Sequence, residues 1–402
     1  MLPVTEIPPL VVESARYFQP VLSWHQSRHF QRYLTGLMTD ANVTVSHMAD
    51  RFSQPINQRS LNRFLTEYQW DPMQLNSQRL KMLQENPNTK WKPDGVVALD
   101  DTLVDKSGKL IPGAGKFYDP TDDCFKHAQC LVTSHYADWR VNYPLGFRQY
   151  FKEDSKEAGE LGFKTKIQLA CELVTEAVGF SVAAETFTAD SWFFCKELAD
   201  HIESYGKIWV MAGKSDLLVR VNNAWVQLKD YATSVPPGQY KECEAGGVKY
   251  WVHTRTLFMN CLGRKVKVAV SYDNPELEGD PKFLITNNLR WERNRILRTY
   301  ALRHLIDAFY RDAKQHLGLE GCQLRTLEGV HRHWTLVFTA YSILKQRVVE
   351  SSLIRRLQGE VNTLGDGCRF VARQLLESLI MLVYKLAIQQ QTPAEIMKVI
   401  TM

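Results

Sequence analysis

Three carboxylates stand out by position in this 402-residue sequence: Asp100, Asp190 and Asp307. Asp100 closes the apolar run Val96-Val-Ala-Leu, as a polar tip closes a buried strand. Asp190 ends a second strand-like stretch, Ser181 to Thr188 followed by Ala189. In a later helical stretch, Tyr300, Arg303, Asp307 and Lys314 stand at offsets of 0, 3, 7 and 14 residues. At ~100° per residue, these four share an arc of ~60° on one helix face. A hydroxyl, a guanidinium, a carboxylate and an ammonium in one stripe are poor core material. They suit a phosphodiester held on metal ions: hard divalent cations take oxygen ligands from converging carboxylates, while Arg and Lys neutralise phosphate. Two such ions, ~3.5–4 Å apart, can activate a water or a 3′-hydroxyl and stabilise the leaving oxygen. The plainer alternatives are solvated turns at Asp100 and Asp190, and an ordinary i,i+4 ion pair between Arg303 and Asp307.

The elements that must position these acids read as a mixed α/β core. After a linker at residues 86–95 with two Pro and a Gly, strands come first as a run: Val96 onward, Gln129 to Tyr136, and Trp139 to Leu145. They then alternate with helices at Phe163–Val178 and Ser191–Tyr205, and Ile208 to Ala212 is the next strand. Between 217 and 281 the pattern changes. Breaks at Pro236-Pro-Gly and Gly246-Gly accompany the alternating runs Lys249 to Leu257 and Arg264 to Val270, which read as inserted β hairpins. Asp190 and Asp307 are 117 residues apart (307 − 190), too far for a simple helix connection, so an insertion is needed in any case. Phe283-Leu-Ile-Thr resumes the core, and from Arg290 the pattern is helical, with a polar break around Gly365-Asp-Gly. The expected division is a helical N-terminal region (1–85), the linker (86–95), the first part of the core (96–216), the β-strand insertion (217–281), the last part of the core with the third acid (282–345), and a helical C-terminal region (346–402).

With 45% hydrophobic and 23% charged residues, the composition excludes wholesale disorder. The excess of 49 Lys+Arg over 44 Asp+Glu is mild but unevenly spread. Residues 282–332 hold ten Lys/Arg and five acids, a net +5 that equals the charge of the whole chain. A phosphate backbone would require such a concentration around the third acid. Near the N-terminus, a short helix from Thr44 to Phe52 and a second capped by Asn57 or Ser60 outline a helix-turn-helix, broken at Ser53-Gln-Pro-Ile-Asn. Leu61, Phe64 and Leu65 would face inward, with Arg59 and Arg63 open to phosphates or base edges; a plain helical bundle is the alternative. Trp251 and Trp291 could stack on an unpaired base or serve the core. His331 and His333 lack a third ligand nearby, and the eight cysteines contain no CxxC pair, so no structural zinc is expected. There is no basic-then-apolar leader, and the apolar stretch Leu375 to Ile388 is interrupted by Glu377 and Lys385. A cytosolic chain with reduced thiols is expected, with that stretch a buried helix and no membrane as partner.

The spacing Tyr300-x2-Arg303-x3-Asp307-x6-Lys314 resembles the YREK signature of the IS4-type DDE transposases, with Asp307 where that family has Glu. Leu99-Asp-Asp-Thr, Ala189-Asp190, and Phe309-Tyr-Arg-Asp-Ala-Lys-Gln-His-Leu-Gly-Leu before Gln323 and Arg325 are similar to its IS701-like branch. The resemblance spans about residues 40–345. It implies an α/β fold: an RNase H-like catalytic core with an inserted β subdomain, a helical N-terminal DNA-binding region and a helical C-terminal region. It implies a cut-and-paste DNA transposase that binds double-stranded DNA at terminal inverted repeats, through residues 1–85 and the β insert, and joins a freed 3′-hydroxyl to target DNA. Two Mg2+ ions (with Mn2+ as a substitute), a homodimer in the DNA complex and a nucleoid-associated cytoplasmic place come with it. The family's Asp-x-Ser/Thr motif assigns the first acid to Asp100, with Thr102 as the hydroxyl. Strand residues alternate faces, so Asp101 is only the reserve. Asp is one methylene shorter than Glu, so the backbone at 307 must approach the ion more closely or a water must bridge; the mariner group is similar in using a third Asp. Two further readings keep the same core: a transposase-derived DNA-binding or assembly protein without catalysis, and an RNase H-fold nuclease or resolvase that cuts without joining.

Overall fold

The computed structural model describes residues 2–40, 42–54, 56–353 and 362–401. Pro55 of the break between the first helices, and 354–361 of the expected C-terminal region, lie outside the described residues. The chain folds as two compact units assembled from separate stretches. Met1–Lys90, Leu103–Gln129 and Phe309–Met402 form the first, and Trp91–Thr102 with Cys130–Ala308 form the second.

The first unit begins with helices α1 (Pro9–Ala15), α2 (Trp24–Thr39), α3 (Val45–Asp50), α4 (Gln58–Thr66) and α5 (Pro72–Glu85). Side chains at their starts satisfy amides that a helix leaves unpaired. Ser23 and Gln26 form a reciprocal capping box on α2, while Asn57 and Asp71 accept from the amides of Arg59 and Met73. α4 buries Leu61, Phe64 and Leu65 and leaves Arg59 and Arg63 exposed.

The second unit is built on a sheet. β1 (Val96–Asp105) is followed by β2 (Gly115–Asp119), β3 (Cys124–Ala137) and β4 (Asn142–Tyr150); β2 and the first half of β3, which pair antiparallel, belong to the first unit, and the second half of β3 pairs antiparallel with β4. Helices α6 (Lys156–Leu161) and α7 (Lys166–Gly179) lead to β5 (Thr186–Ala189), and α8 (Lys196–Ser204) leads to β6 (Ile208–Gly213). β5 pairs parallel with β1 on one side and with β6 on the other. Parallel strands need crossover helices that cover the faces, which is why Val96 to Leu99 and all of β5 are buried.

The inserted elements are β7 (Leu218–Val221), β8 (Ala224–Gln227), α9 (Leu228–Ser234), β9 (Lys241–Ala245), β10 (Val248–Met259) and β11 (Arg264–Tyr272). They extend the core sheet, because β11 pairs antiparallel with β12 (Lys282–Thr286) and β12 with β6. Within the second unit the strand order is β4-β3-β1-β5-β6-β12-β11-β10-β7-β8, with β9 also on β10. α10 (Arg293–Ala301) buries Ile296 and Leu297 in a cluster with Val210, Val252, Ala269, Leu284 and Trp291. A 3-10 turn, Leu302–His304, then separates α10 from α11 (Leu305–His316), so the single helix expected through Tyr300 and Lys314 is interrupted at Arg303. The cause is packing. In a 3-10 turn residues three apart eclipse, and here Leu302 and Leu305 both meet Val96 and Ala137.

The first unit is completed by α12 (Leu327–Leu353), α13 (Leu364–Ile388) and α14 (Pro393–Thr401). α12 buries Trp334, Val337, Phe338, Tyr341 and Leu344, and Arg332 and His333 find partners where they enter the core. Arg332 donates to the carbonyls of Leu65 and Trp70. His333 Nε2 donates to the Gly318 carbonyl at 3.0 Å, which makes Nδ1 the acceptor for the Tyr33 hydroxyl at 2.8 Å. Thr363 and Asp366 form a capping box, so the break expected around Gly365-Asp-Gly is the start of a helix. Further along α13 a second expectation fails. Leu375 packs with Val4 and Phe52, but Ile380, Met381, Tyr384 and Ile388 are exposed, so this apolar stretch is not a buried helix. No helix of the described residues is long and apolar enough to cross a membrane.

Candidate active site

β1 runs on to Asp105, so Asp100 is not a strand tip; it is the first residue past the pairing of Val96–Leu99 with β5. Asp190 is the residue that follows β5 at the same end. The two acids therefore sit at the C-terminal end of a parallel strand pair, where an α/β sheet leaves room for a ligand. Asp190 shapes its own loop, its Oδ1 accepting from the amides of Trp192 at 3.0 Å and Phe193 at 3.2 Å. Among the described residues no protein donor reaches its Oδ2. Asp100 Oδ1 accepts from the Asp101 amide at 2.8 Å, and Oδ2 accepts from Arg303 Nη2 at 2.7 Å. The same guanidinium lies 3.5 Å from Asp307 through Nη1, and its Nε–H is buried with no acceptor among the described residues.

The electrostatics follow from this placement. Burial pushes the Asp100 carboxyl up to about 7; Arg303 works against that, and the charges of Asp190 and Asp101 reinforce it. Neighbouring carboxylates ionise together only beside a cation, and Arg303 is the one paired with Asp100. Burial likewise pushes the Tyr300 hydroxyl up to about 12, with the three acids adding to it, so it stays protonated and able to donate. Asp307 opens the first turn of α11, a favourable place for an acid on the helix dipole, and its side chain is 57% exposed.

Asp101 points to the opposite face, as strand alternation requires. Its Oδ2 accepts from Lys166 Nζ at 2.8 Å and from the Cys130 thiol at 3.4 Å. The Lys166 ammonium also lies 5.0 Å from the Trp192 ring and 5.7 Å from the Tyr150 ring. Burial holds the Cys130 thiol far above its ordinary pKa, so it is no nucleophile.

Lys314 belongs to the first unit, where its Nζ donates to the Leu103 carbonyl at 2.6 Å and pairs with Glu320 at 3.2 Å. Arg63 is in the same unit, paired with Glu67 at 2.6 Å. Trp251 is half-buried on β10. Trp291 is buried beneath Arg295, whose guanidinium stands 4.2 Å from the ring centroid, and so fills the core role of its two readings. Lys166 and Trp192 are neighbours of the site that sequence reasoning missed. Trp192 could have been found from its place inside the turn that Asp190 builds, but nothing local marks Lys166.

Among the described residues, no three His, Cys, Asp or Glu side chains stand close enough together to hold an ion. The chemistry of the donors nevertheless fits a hard divalent cation. Asp100 is a buried carboxylate with like-charged neighbours, Asp190 offers an oxygen that no protein donor reaches, and Arg303 supplies the positive charge between Asp100 and Asp307.

Two acids at the end of a parallel strand pair, and a third on a helix after an inserted set of strands, define an acid-bearing nuclease core of mixed α/β class. The family described as DDE superfamily endonuclease matches residues 17–243, which is 227 of the 402 residues (243 − 17 + 1). The chain belongs to that superfamily, and its large mixed sheet with helices at both ends is the RNase H-like fold of that domain. The matched span includes Asp100 and Asp190 and ends before α10 and Asp307. A comparison with curated proteins gave no match.

Proposed function

We propose that this endonuclease is a cut-and-paste DNA transposase of the IS4 type, IS701-like branch, acting on the ends of its own element. The observation that carries the reading is Arg303, bound to Asp100 and beside Asp307 at the strand end of a DDE-superfamily core, with one buried N–H lacking an acceptor. Asp100, Asp190 and Asp307 would hold two Mg2+ ions, with Mn2+ able to substitute; when bound, these activate the attacking oxygen and stabilise the leaving one. Arg303 offers its Nε–H to a phosphate oxygen, and Tyr300, protonated at working pH, donates a second hydrogen bond. In the first step a water oxygen bonds to phosphorus as the P–O3′ bond breaks, and the departing 3′ oxygen takes up a proton. In the second, that 3′-hydroxyl attacks a target phosphodiester and displaces the target's own 3′ oxygen. Residues 1–85, with Arg59 and Arg63 outward, and the inserted strands bind the element ends, and a dimer pairs them.

The test is a single-turnover reaction on an end-bearing DNA duplex with Mg2+ or Mn2+, scoring binding, nicking and joining separately. Asp100→Asn and Asp190→Asn should each abolish nicking and joining while end binding survives. Binding with no nicking by the parent chain would favour an assembly protein, and nicking without joining a nuclease or resolvase. Turnover retained in Asp100→Asn and lost in Asp101→Asn would mean that the wrong acid has been assigned.

A further inference from the structure

The first unit holds a cavity of about 550 Å³ that the catalytic reading does not use. It opens between α1, the 3-10 turn Arg16–Phe18, α5 and α12. The volume lies in the ~300–1,000 Å³ range of small-molecule pockets. Leu10, Met82 and Ile343 give it an apolar wall, and Tyr17 adds an exposed aromatic ring.

Its charges are arranged in an unusual way. Arg16 and Arg347 both line the cavity, and among the described residues neither has an ion-pair partner. Yet an acid stands three residues from each along the chain, Glu13 and Glu350, at the spacing of an ordinary helical ion pair. Glu350 takes amide donors instead. Its Oε1 accepts from Asn86 Nδ2 at 2.7 Å and from Gln346 Nε2 at 3.2 Å, and no donor among the described residues reaches Oε2. The Arg347 guanidinium lies 4.7 Å from the Phe370 ring, and its Nε–H is buried with no acceptor among the described residues. A buried donor left in that state is costly, which marks Arg347 as a group without its anion.

We propose that this cavity binds a nucleoside 5′-monophosphate. A phosphate monoester suits two guanidiniums that have no carboxylate, because each fork donates to two of its oxygens at once. The free Glu350 oxygen calls for a donor, which a sugar hydroxyl or a base amine supplies. The apolar wall and the Tyr17 ring offer surface to the flat base. Glu13 and Glu350 offset the two arginines, so the lining carries no net charge. A long polyanion gains little from such a site, whereas one terminal phosphate on a hydrogen-bonding body gains most. That phosphate has two sources, a free nucleotide or the 5′ end of a DNA strand.

Nothing in this binding depends on cleavage, so it stands or falls separately from the catalytic reading. The test is isothermal titration of the full chain with deoxyadenosine 5′-monophosphate, in a chelator so that no ion at the catalytic acids holds the phosphate. Saturable one-site binding at sub-millimolar concentration is expected. Arg16→Gln and Arg347→Gln should each weaken it about tenfold, as loss of a charge-assisted hydrogen bond does, with an unchanged circular dichroism spectrum. Arg16 is exposed, so its variant tests the site even if Arg347→Gln disturbs α12. Deoxyadenosine and inorganic phosphate should each bind more weakly than the nucleotide. The proposal is overturned by no binding at low-millimolar concentration, by binding indifferent to both arginine changes, or by either half binding as well as the whole. Prior saturation with a 5′-phosphorylated oligonucleotide, but not with its 5′-hydroxyl counterpart, should abolish the nucleotide heat if a strand end is the source. Heat that survives both makes free nucleotide the source. Heat lost to both oligonucleotides would make the cavity part of a general DNA surface and overturn the proposal.

Discussion

A carboxylate that is 7% exposed and lies near two others holds its proton until about pH 7. Asp100 therefore carries a conflict between folding and chemistry. Its folded pKa is raised above the ordinary carboxylate value of ~4, so the stabilisation it gives is complete below that pH and is lost as pH rises through about 7. Thermal melts of the metal-free protein in a chelator should show this as a difference between variants. Asp100→Asn should be relatively more stable than the parent at pH 8 than at pH 4, because the amide cannot ionise. A difference independent of pH would mean that Asp100 is already charged across the range. The same substitution is expected to abolish cleavage, so the group that costs stability would be the one the chemistry needs.

At the scale of elements, the 3-10 turn decides how the third acid is presented. Three residues at ~120° each, in place of ~100°, rotate α11 by roughly 60° more than a continuous helix would. Arg303 is drawn inward to Asp100, and Asp307 stays exposed. Asp312 lies in the first unit beside Arg311, at 3.5 Å, and its charge acts on the half-buried Lys345. In single-turnover nicking, Asp307→Ala should remove metal-dependent cleavage, Asp312→Ala should leave it largely intact, and Asp307→Glu should keep measurable activity. Parental nicking by Asp307→Ala would return the chain to a DNA-binding role. Local pattern was enough to read α4, α7 and the inserted hairpins, because periods of 3.6 and 2 residues need no tertiary information. It could not extend β1 past Asp100, where Asp100-Asp-Thr interrupts the apolar run before Leu103-Val resumes it. Nor could it see the break at Arg303, which Val96 and Ala137 impose from distant strands, or the Lys166–Asp101 pair formed across 65 residues. α13 misled for another reason: apolar composition does not say which of its side chains the rest of the chain covers.

At the scale of the whole molecule, the two units should answer acid differently. The first holds two histidines kept neutral by burial, His29 with its pKa lowered to about 4 and His333 to about 3. Because these folded values lie below the ordinary ~6.5, their contribution is intact above that pH and is lost as pH falls toward the folded values. In the second unit Asp100 runs the other way. Hydrogen exchange, corrected for intrinsic rates, should show amides of α2 and α12 losing protection between pH 6.5 and pH 4 while those of β1 and β5 are held or gain. Uniform loss through both units would show that neither histidine governs its surroundings.

The inserted strands begin and end at one place, since Gly213 of β6 stands opposite Phe283 of β12. As connectivity, the excursion is dispensable: a tight turn could close the gap. As surface it is not. Cys243, Val252 and Ala269 complete the floor beneath Trp291, and β11 occupies the edge that β12 would otherwise present to water. Pruned at its root, the sheet would offer an unpaired strand beside an uncovered tryptophan, which is a template for fibre growth. Whatever fills that gap must therefore bring both a strand for β12 and an apolar floor of the same shape.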